Sequence, residues 1–376
     1  MGGDLVLRGG RVIDPAENVD RIADVVIAGG RIAGLDADVP AGAETVDVSG
    51  AIVTPGLIDL HTHVYWGGTS LGVDPGAYAL KSASTLLVDA GSAGPGNYRG
   101  FARHVIAPAF PRVLAYLHVS FAGIYAFSSR IMVGESHDMR LMAARDAAEV
   151  ALEHADTVVG IKVRVGANAS GPSGIAPLDV AMDVAAETGL PLMVHIDEPP
   201  PSYAEVVARL RPGDVLTHCF RPFPNAPVDG QGQIRPEILA ARERGVLFDI
   251  AHGKGSFSWK SARAMLAKGF RPDVISSDVH ALNIDGPVYD NLHVMTKFLA
   301  LGWSLPEVVE AASAAPARAL GLTEFGHLRA GAAGDVSVFR EAGGPIELED
   351  VRGDLVPFDR RLSPVGIAVG GEWRAA

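Results

Sequence analysis

The sequence predicts an α/β fold: a (β/α)8 TIM barrel over residues 54–322, carrying a small β-sandwich domain built from residues 1–53 and 323–376. Three observations lead there. Through the middle of the chain, short strand-like runs alternate with Ala-rich amphipathic stretches, the βα pattern of a parallel sheet. Eight such runs occur, the number that closes a barrel. Both ends have a different texture, β-branched runs broken by Gly-Gly pairs, and 376 residues exceed what one compact core usually holds.

In chain order, Leu5 to Arg8 before Gly9-Gly10 and Asp24 to Ala28 before Gly29-Gly30 read as hairpins whose turns require positive φ. The barrel strands are Gly56 to His63, Thr85 to Asp89, Val113 to Ser120, Val158 to Val165, Leu190 to Ile196, Val215 to Phe220, Val246 to His252 and Val274 to His280. Helical patterns separate them, among them Met139 to His154, Pro177 to Glu187, Arg235 to Arg244 and Asn291 to Leu301. At the C-terminus, Val336 to Phe339 forms a strand and Gly366 to Val369 runs into Gly370-Gly371 and Trp373, so the two ends are expected to pair. A doubly wound open sheet is the alternative, but no GxGxxG follows an early strand. Gly253-Lys254-Gly255-Ser256 echoes a phosphate loop without its first glycine or its spacing.

Composition narrows the function. Lys plus Arg total 32 against 44 Asp plus Glu, and a net charge of -12 repels nucleic acid and anionic membrane surfaces, so neither is expected as a partner. The first fourteen residues hold no apolar signal region, no run of eighteen apolar residues occurs, and Val6 stands where a myristoylation signal needs Ser or Thr. A single cysteine, Cys219, excludes an intrachain disulfide and fits a reducing compartment. A cytoplasmic protein is expected, compatible with a homo-oligomer, whose partner is a small molecule.

Side chains of a strand alternate between faces, so His61 and His63 of Leu60-His61-Thr62-His63 point the same way at a strand end and can grip one metal. In Val159-Gly160-Ile161-Lys162-Val163-Arg164-Val165 the apolar face should meet the helices, leaving Lys162 and Arg164 inside the barrel. Two inward cations are costly unless compensated, which a buried salt bridge would do. The sharper reading keeps Lys162 neutral, so that its amine captures carbon dioxide as a carbamate whose two oxygens bridge two metals. His195 and His218 each end an apolar strand; alone each reads as a core histidine, but together with His61 and His63 they share one rim. Asp278, ending the eighth strand, reads elsewhere as a helix cap and here as metal ligand and general base. Active sites of this fold sit at that rim. Cys219 falls on the opposite face from His218 and packs the core.

These residues resemble the amidohydrolase superfamily, more closely its binuclear deacetylase group than dihydroorotase proper. The resemblance runs from Pro55-Gly56-Leu57-Ile58-Asp59-Leu60-His61-Thr62-His63 to the Gly334-Asp335 turn. Its specific motifs are Ile161-Lys162-Val163-Arg164, Pro191-Leu192-Met193-Val194-His195, Gly213-Asp214-Val215-Leu216-Thr217-His218-Cys219-Phe220 and Phe248-Asp249-Ile250-Ala251-His252-Gly253. The resemblance implies that His61, His63 and Asp278 hold one divalent ion, that His195 and His218 hold the other, and that carboxylated Lys162 bridges them. It implies zinc most often, although such ligands also accept manganese, cobalt or iron.

Two such ions acidify a shared water and polarise a carbonyl, and Asp278 then moves the proton from the attacking hydroxide to the leaving group. Arg164 has the bidentate geometry to hold a substrate carboxylate; its alternative is an internal ion pair. His252 and Asn283 are expected beside it as substrate-binding residues, and His118 and His280 are placed where they can line the pocket. The expected reaction is hydrolysis of an N-acyl or O-acyl group from a small carboxylic acid, such as an acetylated amino or hydroxy acid. A cyclic amide hydrolase of dihydroorotase or hydantoinase type needs the same chemistry, and the preference between them rests on the resemblance. A non-catalytic barrel scaffold is the alternative from another class; unfilled inward histidines and lysine argue against it.

Overall fold

The computed structural model describes residues 3–376. Fifteen strands appear in chain order: β1 Leu5–Asp14, β2 Val19–Ala28, β3 Arg31–Leu35, β4 Glu44–Asp47, β5 Ile52–Pro55, β6 Leu57–Thr62, β7 Ser84–Ala90, β8 Arg112–His118, β9 Val158–Val165, β10 Leu192–Ile196, β11 Val215–Leu216, β12 Leu247–Phe248, β13 Val336–Glu349, β14 Leu355–Val369 and β15 Glu372–Ala375. They divide into two sheets.

Strands β6 to β12 form a seven-stranded parallel sheet in sequential order. The expected eighth strand is not a regular one. Residues 274–279 instead reach both edges through single parallel bridges, Asp249 to Val274 and Thr62 to Val279. The Asp278 N–H donates to His61 O at 2.7 Å, and the His63 N–H to Val279 O at 2.9 Å. Strands β11 and β12 are also shorter than expected, and the cause is local. His218, Ala251 and Asp278 take φ of 65°, 38° and 52°, left-handed values that break a ladder.

Packing decides which face of the sheet is which. Val163, Val165, Val194 and Ile196 join one large core cluster with Leu178, Ala181, Val184 and Ala185 of the helix Ala176–Thr188. Burying each Val, Leu or Ile contributes about 1.5–3 kcal/mol, so a one-residue slip of β9 would forfeit several such contributions and put cations against the helix. Lys162 and Arg164 therefore face inward, where the register sets Lys162 beside Met193 and Arg164 beside His195. Some of the helices start on side-chain caps. Asp74 accepts from Ala77 N, and Ser202 with Glu205 and Ser304 with Glu307 form capping boxes. The expected helix Met139 to His154 is split into a 3-10 turn, Met139–Leu141, and an α-helix, Ala144–Glu153.

The terminal segments form one continuous eight-stranded sheet, ordered β15-β14-β13-β5-β1-β2-β3 with β4 also on β1. The strands expected to form the small β-sandwich are hydrogen-bonded into this one sheet, because β1 pairs first with β4 and then with β5. Gly9-Gly10 is not a hairpin turn either. It is a bulge inside β1, where Gly9 has φ +76° and a Cβ on Gly10 would lie 2.5 Å from Val53. Gly29-Gly30 does turn β2 into β3. Leu5, Val25, Ile27, Val53, Val336 and Ala368 give this sheet a core of its own. Its long hairpin, β13 with β14, is fastened to the segment that follows β12: Trp259 Nε1 donates to Leu348 O at 3.0 Å and the Val351 N–H to Phe257 O at 3.2 Å. No helix among the described residues is long and apolar enough to cross a membrane.

Candidate active site

The C-terminal rim of the parallel sheet opens into a cavity of about 380 Å³ lined by His61, His63, Lys162, His195 and Asp278 among others. His218 is buried directly behind His195, its Nε2 at 2.6 Å from His195 Nδ1. The structure thus brings together all six residues expected to hold metal. Two glycines make room for them. A Cβ on Gly91 would come within 2.6 Å of Lys162 Cγ, and one on Gly253 within 2.2 Å of Asp278 Oδ2.

His63 and His218 each have one nitrogen tethered outward and the other left for the centre. His63 Nδ1 meets Ser92 Oγ at 2.8 Å while Nε2 faces Asp278 Oδ1 at 3.2 Å. His218 Nδ1 meets Ala251 O at 2.8 Å, leaving Nε2 for His195. His61 Nδ1 lies 3.4 Å from Asp249 Oδ2, and its Nε2 lies 3.5 Å from Asp278 Oδ1 and 3.4 Å from Lys162 Nζ. Such outer partners fix tautomer and ring orientation at metal sites.

Burial sets the protonation states. It holds His61, His195 and His218 well below the usual imidazole range and His63 at about 3, so all four are neutral and keep a lone pair. Lys162 is pushed down to about 7 by burial, with Arg164 adding to the effect against Asp278. Asp278 is raised to about 6 and Asp249 to about 7, again by burial first.

The donor set suits a divalent cation. Ligand atoms of His61, His218 and Asp278 lie within 4.8 Å of one another, and the buried His195 Nε2 lacks a hydrogen-bond partner. Neutral imidazoles and a carboxylate are what such an ion requires.

The residues expected to bind substrate separate. Arg164 lines the cavity, but its Nε lies 3.3 Å from Glu135 Oε1 and its guanidinium covers the Phe127 ring at 5.1 Å. Burial alone would raise the Glu135 carboxyl, yet Arg164 and His118 outweigh it and hold it at about 2. The internal ion pair is thus present. His252 is not among the cavity's lining residues: its Nε2 meets Lys297 Nζ at 2.7 Å, and the ring stacks on Phe257. Asn283 is also outside the lining, donating to Asp278 O at 2.8 Å and accepting from His280 N at 2.8 Å, so it shapes the turn that presents Asp278. His280 lines the cavity, whereas His118 is buried against Glu135 at 3.2 Å.

Sequence reasoning missed Asp249, which is buried with its Oδ2 3.4 Å from His61 Nδ1 and whose Oδ1 accepts from Ser276 Oγ at 2.5 Å. A lone aspartate inside an apolar strand, Leu247-Phe248-Asp249-Ile250, was the available signal. It also missed Arg221, which lines the cavity at 5% exposure.

Comparison with known proteins places these features in company. A deacetylase of Agrobacterium fabrum is 34% identical over 356 residues, covering 94% of this chain and 87% of that protein. A deacetylase of Enterococcus faecalis is 31% identical over 377 residues, covering 99% of each. Among solved structures, an adenine deaminase superposes with a TM-score of 0.91 at 30% identity over the whole of both chains. A dihydroorotase gives 0.90 at 31% identity over 99% of each. No family model matches the chain.

Proposed function

The chain belongs to the amidohydrolase superfamily, in its dihydroorotase-like deacetylase group, and is a metal-dependent hydrolase; from that premise we propose that it removes an acyl group from a small N-acylated or O-acylated carboxylic acid. The observation that carries this reading is the convergence of four neutral imidazoles, Asp278 and a near-neutral Lys162 at the rim of one cavity. We read the parallel sheet with residues 274–279 as the (β/α)8 barrel, and residues 1–53 and 323–376 as its companion domain.

His61, His63 and Asp278 would hold one divalent ion and His195 and His218 a second, zinc being the first choice for nitrogen and oxygen ligands. Lys162 would join them as a carbamate: its neutral amine bonds to the carbon of carbon dioxide, loses a proton, and presents two oxygens. Bound ions supply a water acidified toward neutrality and a polarised carbonyl. The chain's own residues do the rest. Asp278, held toward the cavity by Asn283 and raised to about 6, accepts the proton of the attacking water and returns it to the departing nitrogen or oxygen. Asp249 and Ser92 keep His61 and His63 in register for that step.

The test is metal-replete enzyme assayed on N-acetyl and O-acetyl acids of both hands, with cyclic amides and adenine alongside. Acyl-acid hydrolysis that stops on chelation is the expected result. Turnover of cyclic amides or adenine alone would move the protein to its other neighbours' chemistry, and activity surviving complete metal removal would overturn the mechanism.

A further inference from the structure

Charge around the cavity is unevenly compensated. Arg164 has Glu135 at 3.3 Å, but Arg221 has no carboxylate in ion-pair reach among the described residues. Its guanidinium makes one hydrogen bond, from Nη1 to Ile196 O, and its buried Nε has no acceptor. A guanidinium carries five donors, and a buried Nε without an acceptor, on a cation without a counter-charge, is costly unless something anionic arrives.

The turn that follows β12 adjoins it. Lys254, Gly255 and Ser256 line the same cavity, and among the described residues their backbone N–H groups and the Ser256 hydroxyl donate to nothing. The two segments are fastened together: the Ser258 N–H donates to Phe220 O at 3.1 Å, and Ser261 Oγ to Arg221 O at 2.8 Å. Nearby acids do not fill the gap. The Asp197 carboxylate is engaged by the N–H groups of Asn168 and Ala169 at 3.1 and 2.9 Å, and Glu198 is exposed at the mouth.

We propose that Arg221, with Ser256 and Lys254, binds the carboxylate of the substrate's acid portion, while Arg164 braces the cavity wall through Glu135 and Phe127. The proposal rests on the acyl-acid reading above. A carboxylate fits the planar fork of Arg221 bidentately, the Ser256 hydroxyl and the idle amides of the turn add donors, and Lys254 adds charge at the entrance.

Two readouts on metal-replete enzyme test it: calorimetric binding of lactate, and the ratio of kcat/KM for O-acetyl-lactate to that for its neutral amide. Arg221→Met should weaken lactate binding and lower the ratio by about 10- to 100-fold, the loss of charge-assisted hydrogen bonds, with Arg221→Lys intermediate. Arg164→Met should move the ratio by less than about threefold. If Arg221→Met does not fold, the pair Ser256→Ala with Lys254→Met carries the test, with an expected drop of about 3- to 10-fold. Unchanged lactate binding and ratio in the Arg221 variants, or in that pair, overturn the proposal; so does a collapse of the ratio in Arg164→Met alone. Wild-type enzyme that binds lactate through Arg221 yet hydrolyses neither ester would sink the acyl-hydrolase reading and leave the subsite standing.

Discussion

Lys162 and Lys297 are both buried lysines, both pushed down to about 7 by burial, and they sit in opposite company. The Lys297 ammonium has three hydrogens and finds three acceptors: His252 Nε2 at 2.7 Å, Pro287 O at 2.9 Å and Glu349 O at 2.6 Å. Lys162 finds only the lone pair of His61 Nε2, at 3.4 Å. An ammonium whose donors are all matched is satisfied in the interior and clamps what it touches. Here it clamps the helix Asn291–Ala300 to the β13 hairpin and to the loop that carries Ala251. Lys162 has no such set of acceptors, and once neutral its amine is a nucleophile. Burial lowers both lysines alike; what sets Lys162 apart is that it lacks the three acceptors of Lys297 and lines the cavity.

Substitutions sharpen or break this contrast, in descending order of effect on hydrolysis. Lys162→Ala should lose metal and activity together, by more than the roughly 10–100-fold typical of an outer-shell partner, and formate or propionate should restore part of it when metal is present. Lys162→Arg should not be rescued, since its fixed charge fills the space. Metal analysis with kinetics checks both, and full metal and turnover in Lys162→Ala would reduce that lysine to packing. Asp278→Asn should lose at least the roughly 10²- to 10⁴-fold of a proton-transfer group while circular dichroism shows the fold intact; near-native rates would place the base elsewhere. Asp249→Asn should cost about 10–100-fold in metal affinity or turnover by releasing His61, and an unchanged metal titration would deny it that role. Lys297→Met should act chiefly on stability, losing about 2–4 kcal/mol in denaturant unfolding as three acceptors go unmet, with metal content unchanged and turnover within about tenfold. Metal loss in that variant would erase the distinction between the two lysines.

How much of this the sequence made legible follows from where period-2 alternation holds. It holds through β9 and β10, so Lys162, Arg164 and His195 were placed inward correctly, and the strand Val158–Val165 has the expected ends. It fails where the backbone turns left-handed at His218, Ala251 and Asp278, so the last strands were expected too long although their histidine and aspartate do reach the rim. Gly9-Gly10 misled because a glycine pair serves a bulge as well as a turn. Arg164 and His252 carried the right chemistry for substrate, but a side chain's partner comes from distant sequence: Glu135 and Lys297 lie in segments that no local pattern joins to them. Arg221 was invisible for the same reason, since what marks it is a missing partner.

Under the proposed function Lys162, and not Lys297, carries the carbamate. Metal-loaded enzyme prepared in ¹³C-bicarbonate and studied by ¹³C NMR tests it directly. One retained carbamate signal per chain, present in the wild type and in Lys297→Met and absent from Lys162→Ala, is the predicted result. No retained label in active wild-type enzyme, or a signal that survives Lys162→Ala and disappears with Lys297→Met, would contradict it.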